Sequence, residues 1–212
     1  MTAGERTIEK DWKTPYVRGE IARYCGFGEC EKATSAAGSI LDGLLKKYSG
    51  YKGKDRKIIC STILYSVSFY TALKNDGYGR NAGEIIYSGL NNAAEVFGSR
   101  ERFKFFLPFG RLIYTKKLRR RFQHMISKDT GFVSDYHKED DGTGVVEIKS
   151  CPYIELSASL GCPDLADAFC NMDRKMYPDI GMTDVEWIRS GGSSCTLRIE
   201  KRSGKEVPAE LG

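Results

Sequence analysis

The chain has 212 residues, 41% hydrophobic and 29% charged, with a formal net charge of +5. That balance supports a real core, excludes a disordered or collagen-like chain, and suits one domain or one domain with an appendage. The longest uncharged run, Ile58 to Leu73, contains several hydroxyl residues and falls short of the roughly 20 apolar residues of a membrane span. Met1 to Lys13 is polar and lacks the apolar stretch of a signal peptide, so the expectation is a cytoplasmic protein with no membrane partner.

Residues 1–29 read as an N-terminal extension. From 30 to 48, Ile40, Leu41, Leu44, Leu45 and Tyr48 share one face at helical spacing, and Ser49-Gly50 ends the segment. Residues 54–75 hold the uncharged run, and a helix apolar most of the way round is a buried one. The next helix starts at Asn81, with Glu84 three residues on as a variant capping box. Ile86, Leu90, Ala93 and Phe97 follow at helical spacing. A fourth stretch runs from about Arg100 to Ser127, where Pro108 and Gly110 should kink or split it. Residues 30–130 therefore read as a helical bundle with short connections.

Beyond 131 the pattern changes. Phe132–His137 and Gly144–Lys149 read as strands joined at Glu139-Asp140-Asp141-Gly142, a hairpin. Two short helices follow, about 152–160 and 163–176. Asp184–Arg189 and Cys195–Lys201 make a second hairpin around Ser190–Ser193, and 203–212 is a polar tail. The expected fold is α+β in a single domain. An N-terminal helical bundle packs on a four-stranded antiparallel sheet built from two β-hairpins separated by two short helices.

Seven cysteines, an odd number without a secretion signal, point to reduced thiols. With only His124 and His137 present, a His-rich metal site is excluded by arithmetic. His137, at a strand end before an acidic turn, is the better candidate base. Cys151 precedes Pro152 and Cys162 precedes Pro163. Proline favours the first helical position, which makes each cysteine a candidate N-cap, where free N–H groups and the helix dipole stabilise a thiolate. The plainer reading is a small residue filling a tight turn.

Cys170 has Asp173 three residues on, on the same helix face. That is a thiol beside a carboxylate able to move a proton or orient water, or else a buried cysteine beside a solvated Asp. Cys195 opens the last strand. A cage of Cys151, Cys162, Cys170 and Cys195 lacks the paired C-x2-C spacing of structural zinc. No cofactor is expected, with zinc as the alternative. The basic cluster Lys116, Lys117, Arg119, Arg120 and Arg121 reads as a solvated helix face. Neither a zinc finger nor an RNA-reading signature accompanies it, and no nucleic-acid partner is expected.

Three strings in this region resemble the L-2-amino-thiazoline-4-carboxylic acid hydrolase family. They are Lys149-Ser150-Cys151-Pro152-Tyr153, then Gly161-Cys162-Pro163-Asp164-Leu165, then Phe169-Cys170-Asn171-Met172-Asp173. Trp187-Ile188-Arg189, a glycine turn and Cys195 continue the likeness. Relatives place Asp and an aromatic after that last cysteine, where this chain has Thr196 and Leu197. The resemblance implies hydrolysis of a small sulfur- and nitrogen-containing acid by ring opening of a cyclic isothiourea. It implies catalytic roles for Cys170, Asp173, Cys151 and Cys195. Substrate contacts would come from Arg189, which suits a carboxylate, and from Trp187, Tyr153, Cys162 and His137. The partner implied is a small acidic substrate, and the oligomeric state stays open, a dimer included.

Two other classes compete. A helical part with a small antiparallel sheet is also the layout of vinyl-reductase-type binding domains. Phe105, Phe106, Tyr114 and Trp187 would then line a pocket that holds a ligand without reacting it. The third class is a thiolate metal-binding protein.

Overall fold

The computed structural model describes residues 1–51, 58–105, 133–140, 144–176 and 195–199. Helices α1 (Ala3–Lys10), α2 (Thr14–Cys25) and α3 (Phe27–Lys47) open the chain. Thr2 starts α1 with a reciprocal cap. Its hydroxyl accepts the Glu5 N–H at 3.1 Å, and the Glu5 carboxylate accepts the Thr2 N–H at 2.6 Å. The residues read as an extension thus fold into α1 and α2, and they bury Ile8, Val17 and Ile21. Where α1 crosses α3, Gly4 faces Gly38. A Cβ on Gly4 would stand 2.1 Å from the Gly38 carbonyl oxygen, so only bare backbone fits.

Lys13, in the link between α1 and α2, is 2% exposed. An unpaired ammonium there would cost several kcal/mol, roughly, in lost hydration. Asp11 offsets this with Oδ1 2.6 Å from Nζ. The Trp12 and Tyr65 rings add cation–π attraction at 5.2 and 5.0 Å. Burial still outweighs the ion pair and pulls the Lys13 pKa below its ordinary value. Thr14 donates to the Ile8 carbonyl at 2.5 Å, so the Tyr65 hydroxyl, 3.0 Å away, donates to Thr14.

The apolar run forms α4 (Tyr65–Leu73), entered and left through wider π-helical turns at Ile59–Leu64 and Lys74–Tyr78. On entry the Tyr65 N–H reaches the Cys60 carbonyl five residues back. Tyr65, Phe69 and Leu73 are fully buried, with Ser66 and Ser68 between them. Helix α5 (Ala82–Phe105) follows, with the Asn81 carbonyl taking the Ile85 N–H at 2.9 Å. It runs without a break through Arg100, where the sequence suggests a new helix. Pro108, Gly110, His124 and the basic cluster lie outside the described residues.

The described strands are β1 (Val133–Lys138), β2 (Gly144–Ser150) and β3 (Cys195–Ile199), in the order β1-β2-β3 with both pairings antiparallel. Ser134, Ile148 and Cys195 form one cross-strand row, and Tyr136, Val146 and Leu197 the next. Paired residues share a face, and Ser134, Val146, Ile148 and Cys195 are buried on this one. Asp135 and His137 point the other way and are exposed. The fold is thus α+β and mostly helical, and the described residues hold three of the four expected antiparallel strands. The expected fourth, Asp184–Arg189, lies outside the described residues.

Helices α6 (Pro152–Ser159) and α7 (Leu165–Met176) come between β2 and β3. Residues Met1–Arg100 and Cys151–Met176 belong to one compact unit and the strands to a second. No described helix is long and apolar enough to cross a membrane. The Gly4–Gly38 contact makes a clear prediction. Gly4→Ala should cost about 1–3 kcal/mol, as overpacking does. Urea unfolding measures it, and an unchanged midpoint would mean that α1 does not sit on α3 this closely.

Candidate functional site

Five of the sequence-singled residues fall on α6, α7 and the turn between them. Cys151 is the N-cap of α6, with extended φ and ψ of −127° and 113°, and Pro152 takes the first turn. Its carbonyl accepts from Ile154 and Glu155 at 3.0 and 3.1 Å. The thiol makes no capping hydrogen bond, and the residue is 6% exposed. Two residues on, Tyr153 lays its ring against Phe169, 5.2 Å between centroids. That contact ties the start of α6 to the residue before Cys170.

Cys162 behaves differently from Cys151, although both precede proline. Gly161 has φ +75°, a left-handed conformation that glycine adopts without steric cost. The Cys162 N–H bonds to the Ser157 carbonyl at 2.9 Å and the Gly161 N–H to Ala158 at 3.0 Å. This pair of bonds is the Schellman helix stop. Cys162 therefore closes α6 and does not cap α7, which begins at Leu165 after the Pro163-Asp164 turn. It is 2% exposed, and its Sγ lies 3.4 Å from the Leu160 carbonyl. Burial pushes its thiol pKa up, only partly countered by a hydrogen bond from Thr71 and the charge of Lys74. The N-cap thiolate expected here is replaced by a neutral packing thiol.

Helix α7 has one apolar face, formed by Leu165, Ala168, Phe169, Met172 and Met176, all buried. Fully burying a Leu, Phe or Met side chain contributes roughly 1.5–3 kcal/mol, which fixes this face inward. Two polar flanks border it. On one, Cys170 and Asp173 are both half-buried and one helical turn apart. On the other, the Asn171 amide donates to the Tyr87 hydroxyl at 2.9 Å and to Asn91 Oδ1 at 2.8 Å, both on α5. Lys175 pairs with Glu95 one turn further along α5.

The other candidates are in the sheet unit or outside the described residues. Cys195 begins β3 opposite Ile148 and is 7% exposed. His137 pairs with Val145 on edge strand β1 and is exposed. Trp187 and Arg189 lie outside the described residues. Among the described residues no three His, Cys, Asp or Glu side chains gather as a metal site. The residues missed from sequence are Asn171, Tyr87 and Asn91. The available signal was an asparagine flanked by apolar positions on α7, with a second one, 80 residues earlier, on a helix.

A family model described as L-2-amino-thiazoline-4-carboxylic acid hydrolase matches residues 56–199. That match spans more than half of the chain, and the chain belongs to this family. No curated protein and no solved structure matches it.

Exposure ranks the thiols of the matched segment. In the folded protein, a small alkylating reagent should modify Cys170 at least about tenfold faster than Cys151 or Cys162, because reaction needs an accessible thiolate. Timed labelling followed by peptide mass mapping reads the order. Cys162 reacting first would contradict the placement of these side chains.

Proposed function

We propose that this member of the family hydrolyses a five-membered cyclic isothiourea acid of the aminothiazoline type, with Cys170 as nucleophile and Asp173 as its acidic partner. The observation that carries the reading is on α7. Within the family-matched segment, Cys170 is half-buried and reachable while Cys151, Cys162 and Cys195 are buried. An acidic residue shares its flank one turn away.

The substrate's reactive carbon is bonded to an amino group, a ring nitrogen and the ring sulfur. In its protonated form the N–C–N edge is an amidinium. A carboxylate binds such a planar cation through two parallel charge-assisted hydrogen bonds. Asp173 in that role brings the carbon to Cys170, since neighbouring side chains one turn apart sit about 5–6 Å from each other.

The Cys170 sulfur then attacks the carbon. The carbon–ring sulfur bond breaks, and its electron pair leaves with the sulfur, which takes up the thiol proton. The opened substrate is held on Cys170 as an S-linked isothiourea. Water next adds to the same carbon while Asp173 accepts its proton. The bond to Cys170 breaks, the proton on Asp173 passes to the cysteine sulfur, the added hydroxyl gives its proton to solvent in place of the one the amidinium brought in, and a ureido acid departs. The sum is substrate plus one water, with the enzyme restored, which is covalent catalysis in two easier steps. Arg189 is proposed as the partner of the substrate carboxylate on its charge and fork-shaped donor set. Cys151, Cys195, Tyr153, Trp187, Cys162 and His137 remain proposed contributors to the site through the family likeness alone.

Turnover of the aminothiazoline acid tests the reading. Cys170→Ser should abolish it, and Asp173→Asn should lower it by about 10²–10⁴, the usual range for losing a positioned proton acceptor. Both variants should keep the wild-type helical circular dichroism. Full turnover in either folded variant removes that residue from the chemistry.

A further inference from the structure

Helix α7 presents Cys170 and Asp173 on one flank and bonds to α5 through the other. The apolar face between them decides which side of α7 faces inward, but hydrophobic contact is non-directional and fixes the exact roll of the helix less sharply than a directional bond does. Hydrogen bonds are directional and weaken steeply off axis. On α5, Tyr87, Asn91 and Glu95 follow one another at four-residue intervals, so they form a stripe along one side. The stripe meets Asn171 and Lys175 in the same order, so the two helices run parallel. Asn91 is 5% exposed and Tyr87 stands at the edge, so the Asn171 amide enters a partly dry joint. Below the stripe, a Cβ on Gly98 would lie 2.7 Å from the Lys175 carbonyl oxygen, so the backbones almost touch at that end.

We infer that Asn171 is a positioning residue whose two bonds to Tyr87 and Asn91 set the roll of α7, and with it the direction in which Cys170 and Asp173 face. This rests on the reading of those two as the reacting pair. Asn171 itself touches no substrate. Leucine has the same branched heavy-atom skeleton but no donors, so Asn171→Leu keeps the shape of the side chain and removes both bonds. The apolar face of α7 still holds the helix down, and the active flank loses its fixed bearing.

The test compares wild type, Asn171→Leu and Tyr87→Phe, the last removing one bond and serving if the first does not fold. Turnover is measured as kcat and KM, and thiol labelling as the ratio of Cys170 to Cys162. Cys162 is the internal control, since general loosening of the fold exposes both thiols together, while a roll of α7 alters Cys170 alone. The expected result for Asn171→Leu is a folded protein with kcat down at least about tenfold, since a misplacement near 1 Å costs on the order of a hundredfold. KM should stay within about twofold and the labelling ratio should change at least about threefold, because reactivity follows access. Tyr87→Phe should shift both readings the same way by less. Unchanged kcat and an unchanged ratio, with only a lower melting temperature, overturn the inference and leave Asn171 as a stabilising contact. If wild type does not turn over, the functional reading fails on wild type alone, and the labelling ratio still decides the role of Asn171.

Discussion

The burial of one face of α7 is the constraint on which the rest depends. Leu165, Phe169, Met172 and Met176 cannot face water without losing several kcal/mol, roughly, among them. Once they are inward, the 3.6-residue period leaves Cys170 and Asp173 on one border and Asn171 and Lys175 on the other. The position of the proposed reacting pair is therefore set by packing, and the amide bonds to α5 are proposed to set its bearing. Neighbouring α6 contributes through Tyr153, whose ring lies tilted against Phe169.

The two Cys-Pro junctions show how one dipeptide serves opposite ends of a helix. After β2 the chain is extended, so Cys151 caps a helix that Pro152 begins. After α6, Gly161 adopts its left-handed turn first, and Cys162 becomes the residue that folds back onto the helix it leaves. The difference lies in the residue before the cysteine, Ser150 in one case and Gly161 in the other. Burial then pushes the Cys162 thiol towards its neutral form, while Cys170 on α7 stays half-buried.

Much of this was legible from the chain. The apolar run at 58–73 points to the buried helix, the turn at Glu139–Gly142 separates the strands on either side of it, and the Cys-Pro-Tyr and Phe-Cys strings point to the family. What escaped reading depended on contacts distant in sequence. Residues 1–29 read as an extension because no local pattern reports that Lys13 and Asp11 are buried as an ion pair inside the fold. The π-helical turns around α4 are a change of hydrogen-bond register that helical spacing alone does not reveal. Asn171 reads as an ordinary polar helix residue until Tyr87 and Asn91 are brought beside it.

The central claim is that chemistry happens at the sulfur of Cys170. Rapid mixing of the protein with the aminothiazoline acid, quenching in acid within the first turnover and fragment mass spectrometry of the peptides tests it most directly. An adduct carrying the full mass of the substrate, localised to Cys170, is the predicted result. The same adduct on Cys151, Cys162 or Cys195, or rapid product formation with every cysteine unmodified at all quench times, would contradict it.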